Sequence, residues 1–128
     1  MELQDFIDKN PNYIEIFREK RLHTRKYSKY GLLLVKTYYN NEYDYANNKW
    51  MRYCRGAIIN TETNRLVCIP PVKSDKLVNI DLDKYDDTYT YEPLIDGTMI
   101  NMFYHRNEWM ISTRSNIGAK NKWDGKVA

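Results

Sequence analysis

The side chains that could do chemistry fall in short groups: Arg55-Gly56, the run Pro70-Pro71-Val72-Lys73-Ser74-Asp75-Lys76, the triplet Asp96-Gly97-Thr98, and Ser112-Thr113-Arg114-Ser115. An arginine offers a planar fork of donors matched to phosphate oxygens, a lysine offers a compact positive charge, and a glycine lets the backbone approach a ligand closely. Each group also has a purely structural reading. Asp96-Gly97 between apolar runs is a hairpin turn, Arg55 suits the surface of a strand, and the lysines suit a solvated face. Other constellations find no support. His23 and His105 stand far apart, neither has a clear Ser or Cys partner, and His105 suits a hairpin turn, so hydrolase chemistry is not indicated. Cys54 and Cys68 show neither CxxC nor paired-His spacing and read as small strand hydrophobes.

The elements that must position these groups are read from periodicity. Leu3, Phe6, Ile7, Ile14 and Phe17 among charges suit short helices broken near Asn10-Pro11, with Pro11 as a first helical residue capped by Asn10. A basic cluster follows over Arg18 to Lys29, and the pattern then turns to β-rich runs. These are Tyr30 to Tyr39, Tyr53 to Asn60, Arg65 to Ile69, Tyr89 to Leu94, Thr98 to Tyr104 and Glu108 to Thr113. Turn chemistry separates them at Asn60-Thr61-Glu62-Thr63-Asn64, Asp96-Gly97 and His105-Arg106-Asn107, which predicts antiparallel hairpins. The polar stretch Asn40 to Lys49 reads as a mobile loop. Neither a strand-helix-strand alternation nor a glycine-rich phosphate loop is present, which argues against a Rossmann or P-loop fold.

A length of 128 residues, 42% of them hydrophobic, suits one domain over residues 1–128. No run approaches the roughly 18 to 20 apolar residues of a membrane span, and the acidic start Met1-Glu2-Leu3-Gln4-Asp5 lacks an h-region. The expectation is a cytoplasmic protein without a membrane partner. The net charge of +3 is mild, but the basic cluster Arg18 to Lys29 and the carboxyl-terminal lysines are uneven enough to meet phosphates.

The order of Arg55-Gly56, the Pro70-Pro71 strand with its lysines, Asp96-Gly97-Thr98 and the Ser-Thr-Arg-Ser segment resembles the amino-terminal half of the covalent nucleotidyltransferases, most closely the phage-type RNA ligases. The resemblance spans roughly residues 30 to 119. It implies an α+β domain with an amino-terminal helical segment packed on a twisted antiparallel sheet, and viral relatives. It implies a nucleotide site built from Arg55, Gly56, Lys73 or Lys76, Asp96, Gly97, Thr98 and Arg114, with ATP as the nucleotide, Mg²⁺ as the metal and RNA as a partner. Arg55 would touch a phosphate, and Arg114 would lie beside the nucleotide.

Leu94 departs from that pattern, because it stands where the family places its nucleophilic lysine. A hydrocarbon side chain cannot attack the α-phosphorus of ATP. Lys122-Trp123-Asp124-Gly125 spells the same attachment motif but follows Ala119-Lys120-Asn121 instead of an apolar strand. The glutamate strand and the closing Lys-x-Lys strand of the family have no counterpart after Gly118, and the acidic residues between Asp81 and Asp87 read as a loop more simply than as a Mg²⁺ site. The expectation is a nucleotide-binding domain that is catalytically degenerate or a fragment of a larger ligase-like protein. The alternative is a non-catalytic nucleic-acid-binding or protein-interaction module built on the basic clusters.

Overall fold

Apolar residues one helical turn apart set the two helices that open the chain. Leu3 and Ile7 are buried from α1 (Glu2–Lys9), and Tyr13 and Phe17 from α2 (Tyr13–Glu19), each pair on one face. In the computed structural model the described residues are 1–38, 40–72 and 99–118, together with the backbone of 122–123 and 126–127. Glu2 and Asp5 in the first turn of α1 and Lys9 in its last complement the helix dipole. The helix break falls as expected but its cap does not. Asn10 closes α1, its side-chain amide donating to the Phe6 carbonyl at 2.8 Å, and Asn12 is the N-cap of α2. Pro11 therefore sits in the turn between the helices, ahead of the first helical residue.

Four strands follow as an antiparallel meander: β1 (His23–Tyr27), β2 (Leu32–Lys36), β3 (Arg55–Asn60) and β4 (Arg65–Cys68), in that spatial order. The basic cluster is thus the end of α2 plus an edge strand. A 3-10 turn (Lys49–Tyr53) precedes β3, so Tyr53 lies outside the strand. Both faces of the sheet are covered, which explains why Leu32 to Val35 and Ala57 to Ile59 are continuously apolar. Leu33, Val35, Ala57 and Ile59 pack with both helices, Trp50 and Met51. Leu32, Leu34, Ile58 and Cys68 pack on the opposite side with Phe103 and Ile117. Tyr43 and Tyr45, in the stretch expected to be a loop, lie against the helical core.

The second cover is a hairpin of β5 (Asn101–His105) and β6 (Glu108–Ser112). Arg106 and Asn107 both have positive φ, the requirement of a two-residue type I′ turn. His105 is therefore not in the turn. It is buried at the end of β5, with Nε2 at 2.8 Å from the Tyr30 carbonyl oxygen. A carbonyl only accepts, so Nε2 carries the proton. Arg106 adds bonds to the Lys29 carbonyl and to Glu62. Together these groups pin the hairpin across the β1–β2 turn.

The backbone of β7 (Lys122–Trp123) pairs antiparallel with β8 (Lys126–Val127). The fold is α+β, with two helices and a mainly antiparallel sheet. Among the described residues no helix is long and apolar enough to cross a membrane.

Candidate functional site

Two residues singled out in the sequence meet where β3 begins. Gly56 has φ +94°, and a Cβ placed on it would lie 2.8 Å from Cα and 2.9 Å from the carbonyl oxygen of Arg114. Only a glycine admits the Arg114 backbone there. Gly56 is also where the β2–β3 ladder slips. Val35 pairs with Ala57, but Lys36 pairs with Arg55, leaving Gly56 as the extra residue of a bulge. Ala57 faces the helices, and strict alternation would send Arg55 to the same side. The bulge instead sets Arg55 opposite Lys36, on the face toward Arg114.

The segment after β6 carries Arg114 and is fastened to the sheet by successive side chains. Thr113 Oγ1 accepts from the amides of Ser115 and Asn116, shaping a tight turn. Arg114 Nη2 donates to the Thr37 carbonyl at 3.0 Å and contacts Thr37 Oγ1 at 3.5 Å. Lys36 Nζ donates to Ser115 Oγ at 3.0 Å, Arg25 Nη1 donates to Asn116 Oδ1, and the Ile117 amide donates to the Tyr27 hydroxyl at 3.0 Å. One short turn is thereby held against both β1 and β2.

The result is a cluster of like charges. Burial, the Arg114 charge and the Arg25 charge together hold the Lys36 ammonium below its ordinary range, in that order of importance. Burial and then the Arg55 charge lower Arg114 as well. His23, whose Nδ1 lies 3.0 Å from the Tyr38 hydroxyl, is lowered by burial and then by Lys36 and Arg25. The ion pairs of Met1 with Asp5 and of Arg106 with Glu62 lie elsewhere. Arg114 Nε is buried and has no hydrogen-bond partner among the described residues. An unpaired buried donor costs about 1–3 kcal/mol.

Arg55 and Arg114 both open on a cavity of about 230 Å³, whose other described walls are Pro70, Pro71, Val72, Met99 and Asn101. Segments far apart in the sequence thus share one concavity: the start of β3, the proline pair and the turn after β6. The volume falls below the roughly 300 Å³ at which small-molecule pockets begin, so the described walls suit the phosphate end of a ligand better than a whole nucleotide. Lys73, Lys76, Leu94, Asp96, Gly97 and Thr98 lie outside the described residues, as do the strand expected at Tyr89 to Leu94 and the acidic stretch Asp81 to Asp87. Lys36 and Thr37 were not singled out from the sequence. The available signal was a charged residue closing an otherwise apolar strand.

No group of three or more His, Cys, Asp or Glu side chains among the described residues could hold a metal. Comparison with protein-family models, with curated proteins and with solved structures returns no match for this chain.

Proposed function

We propose that the chain is an RNA-ligase-like domain with a nucleotidyltransferase-like fold, which binds the phosphates of ATP or AMP and does not form a covalent adenylate at its motif position. The observation that carries this reading is the shared cavity of Arg55, Pro70-Pro71 and Arg114. Three of the sequence groups that resemble the ligase motifs line it. The charges of Arg55 and Arg114 disfavour each other beside this cavity, and a phosphate relieves that repulsion while accepting charge-assisted hydrogen bonds.

The chemistry stops at binding because Leu94 supplies no amine for attack on the α-phosphorus. Lys122 belongs to a two-residue strand pair, a different setting from the apolar strands that flank an attachment lysine.

Calorimetric titration with ATP and with AMP tests the reading, alongside intact-mass spectra after incubation with ATP and Mg²⁺. Nucleotide binding that falls at least tenfold in Arg55→Ala and in Arg114→Ala, with no mass increase of one AMP, is the expected result. Each lost charged hydrogen bond, at about 1.5–3 kcal/mol, corresponds to that loss or more. Absence of nucleotide binding would refute the reading, and an AMP adduct on any lysine would replace the non-covalent domain with an active one.

A further inference from the structure

Apart from the phosphate cavity, an open groove of about 660 Å³ lies between the edge strand β1 and the edge strand β6. Arg25, Tyr27 and Tyr30 line one side and Trp109 and Met110 the other, with Asn116 and Ile117 also lining it. Tyr27 and Tyr30 are half-buried against the hairpin-side core, so their rings are held in place. Trp109 is 66% exposed, an unusual state for so large an apolar surface, and Tyr104 props its ring edge-to-face at 5.4 Å. Lys26 also lines the groove, and Lys29 Nζ stands 5.7 Å from the Tyr30 ring centroid. Glu108 is the acid among the described lining residues.

The positive charge does not end at the groove. Arg25 holds Asn116, and the adjoining Ser115 holds Lys36, which pairs across the ladder with Arg55. Arg25, Lys36, Arg55 and Arg114 thereby form a continuous line of cations from the groove to the phosphate cavity. A flexible polymer of closely spaced negative charges, carrying flat apolar faces between them, complements such a surface. A duplex keeps its bases stacked on one another, away from Trp109, whereas a single strand can lay a base on it.

We infer that the β1–β6 groove binds a single strand of nucleic acid, with its phosphates along Arg25 toward Lys36 and a base stacked on Trp109. This site stands apart from the nucleotide reading, because its binding requires neither ATP nor the cavity between Arg55 and Arg114.

Fluorescence anisotropy with labelled 12-nucleotide RNA, DNA of the same sequence and the blunt RNA duplex tests it over a range of salt and without ATP. Binding of either single strand more tightly than the duplex is expected, and the tighter of the two identifies the natural polymer. Trp109→Ala, at an exposed position, is expected to weaken single-strand binding roughly tenfold. Arg25→Gln combined with Lys26→Gln is expected to flatten the plot of log affinity against log salt by about 0.7 to 1.4, while Glu108→Gln tightens binding. Circular dichroism of each variant reports on folding. Equal or tighter duplex binding, or unchanged affinity in folded Trp109→Ala, would overturn the inference, as would a lack of single-strand binding. Loss of ATP binding with retained strand binding would instead remove only the nucleotide reading.

Discussion

Gly56 and Arg114 are in backbone contact, with the missing Cβ of the glycine leaving the space that the Arg114 main chain occupies. This contact joins the bulge in β3 to the turn after β6, and it brings Arg55 and Arg114 to one cavity. Gly56→Ala is expected to destabilise the fold by about 3 kcal/mol, combining positive-φ strain with a clash against backbone that cannot swing away. Thermal melting would show a fall of roughly 10 °C. A melting point within a degree or two of the parent would mean that the two segments do not meet as described.

The cation cluster makes His23 a reporter of bound anions. Its pKa is held below the usual 6.5 by burial first and then by Lys36 and Arg25. An anion at Lys36 offsets the charge part of that shift, so pyrophosphate is expected to raise the His23 pKa seen by NMR titration. A titration curve that does not move would place the bound anion away from Lys36.

The same depression has a consequence for stability. Around neutrality and below, the unfolded chain holds a proton on His23 more readily than the folded one, so the stability contribution of His23 rises with pH. The penalty is full below the lowered folded pKa and is gone above the unfolded 6.5. Urea midpoints of the parent are therefore expected to gain more between pH 5 and about pH 7.5 than those of His23→Gln, whose side chain does not titrate.

Cys54 and Cys68 are free, buried thiols whose pKa values are pushed up, mainly by burial. Thiolate is the reactive form, so both should resist a thiol reagent at pH 8 and react fully after unfolding in denaturant. Rapid labelling of Cys54 in the native protein would contradict its burial beneath β3.

His105 ties the hairpin to the sheet through the Tyr30 carbonyl. His105→Leu keeps an apolar body but leaves that carbonyl unpaired, and about 1–3 kcal/mol of stability should be lost in urea unfolding. His105→Gln, which retains a donor, should recover part of the loss. Equal losses in both variants would assign the effect to packing instead of the hydrogen bond.

Much of the architecture was legible in the chain. The apolar runs Leu32 to Val35 and Ala57 to Ile59 mark strands, and Asn60 to Asn64 marks the turn after β3. The burial of Leu3, Ile7 and Phe17 follows from the same local logic, whereas the burial of Tyr13 in place of Ile14 does not. Burial periodicity is written residue by residue, so sequence alone determines it. His23–Tyr27 escaped notice as a strand because its charged side chains show no apolar face, and its place comes from hydrogen bonds to β2. The bulge at Gly56, the burial of His105 and the meeting of Arg55 with Arg114 were likewise decided only in three dimensions. Register and approach depend on which distant segment fills the space beside a residue, and no local pattern carries that information.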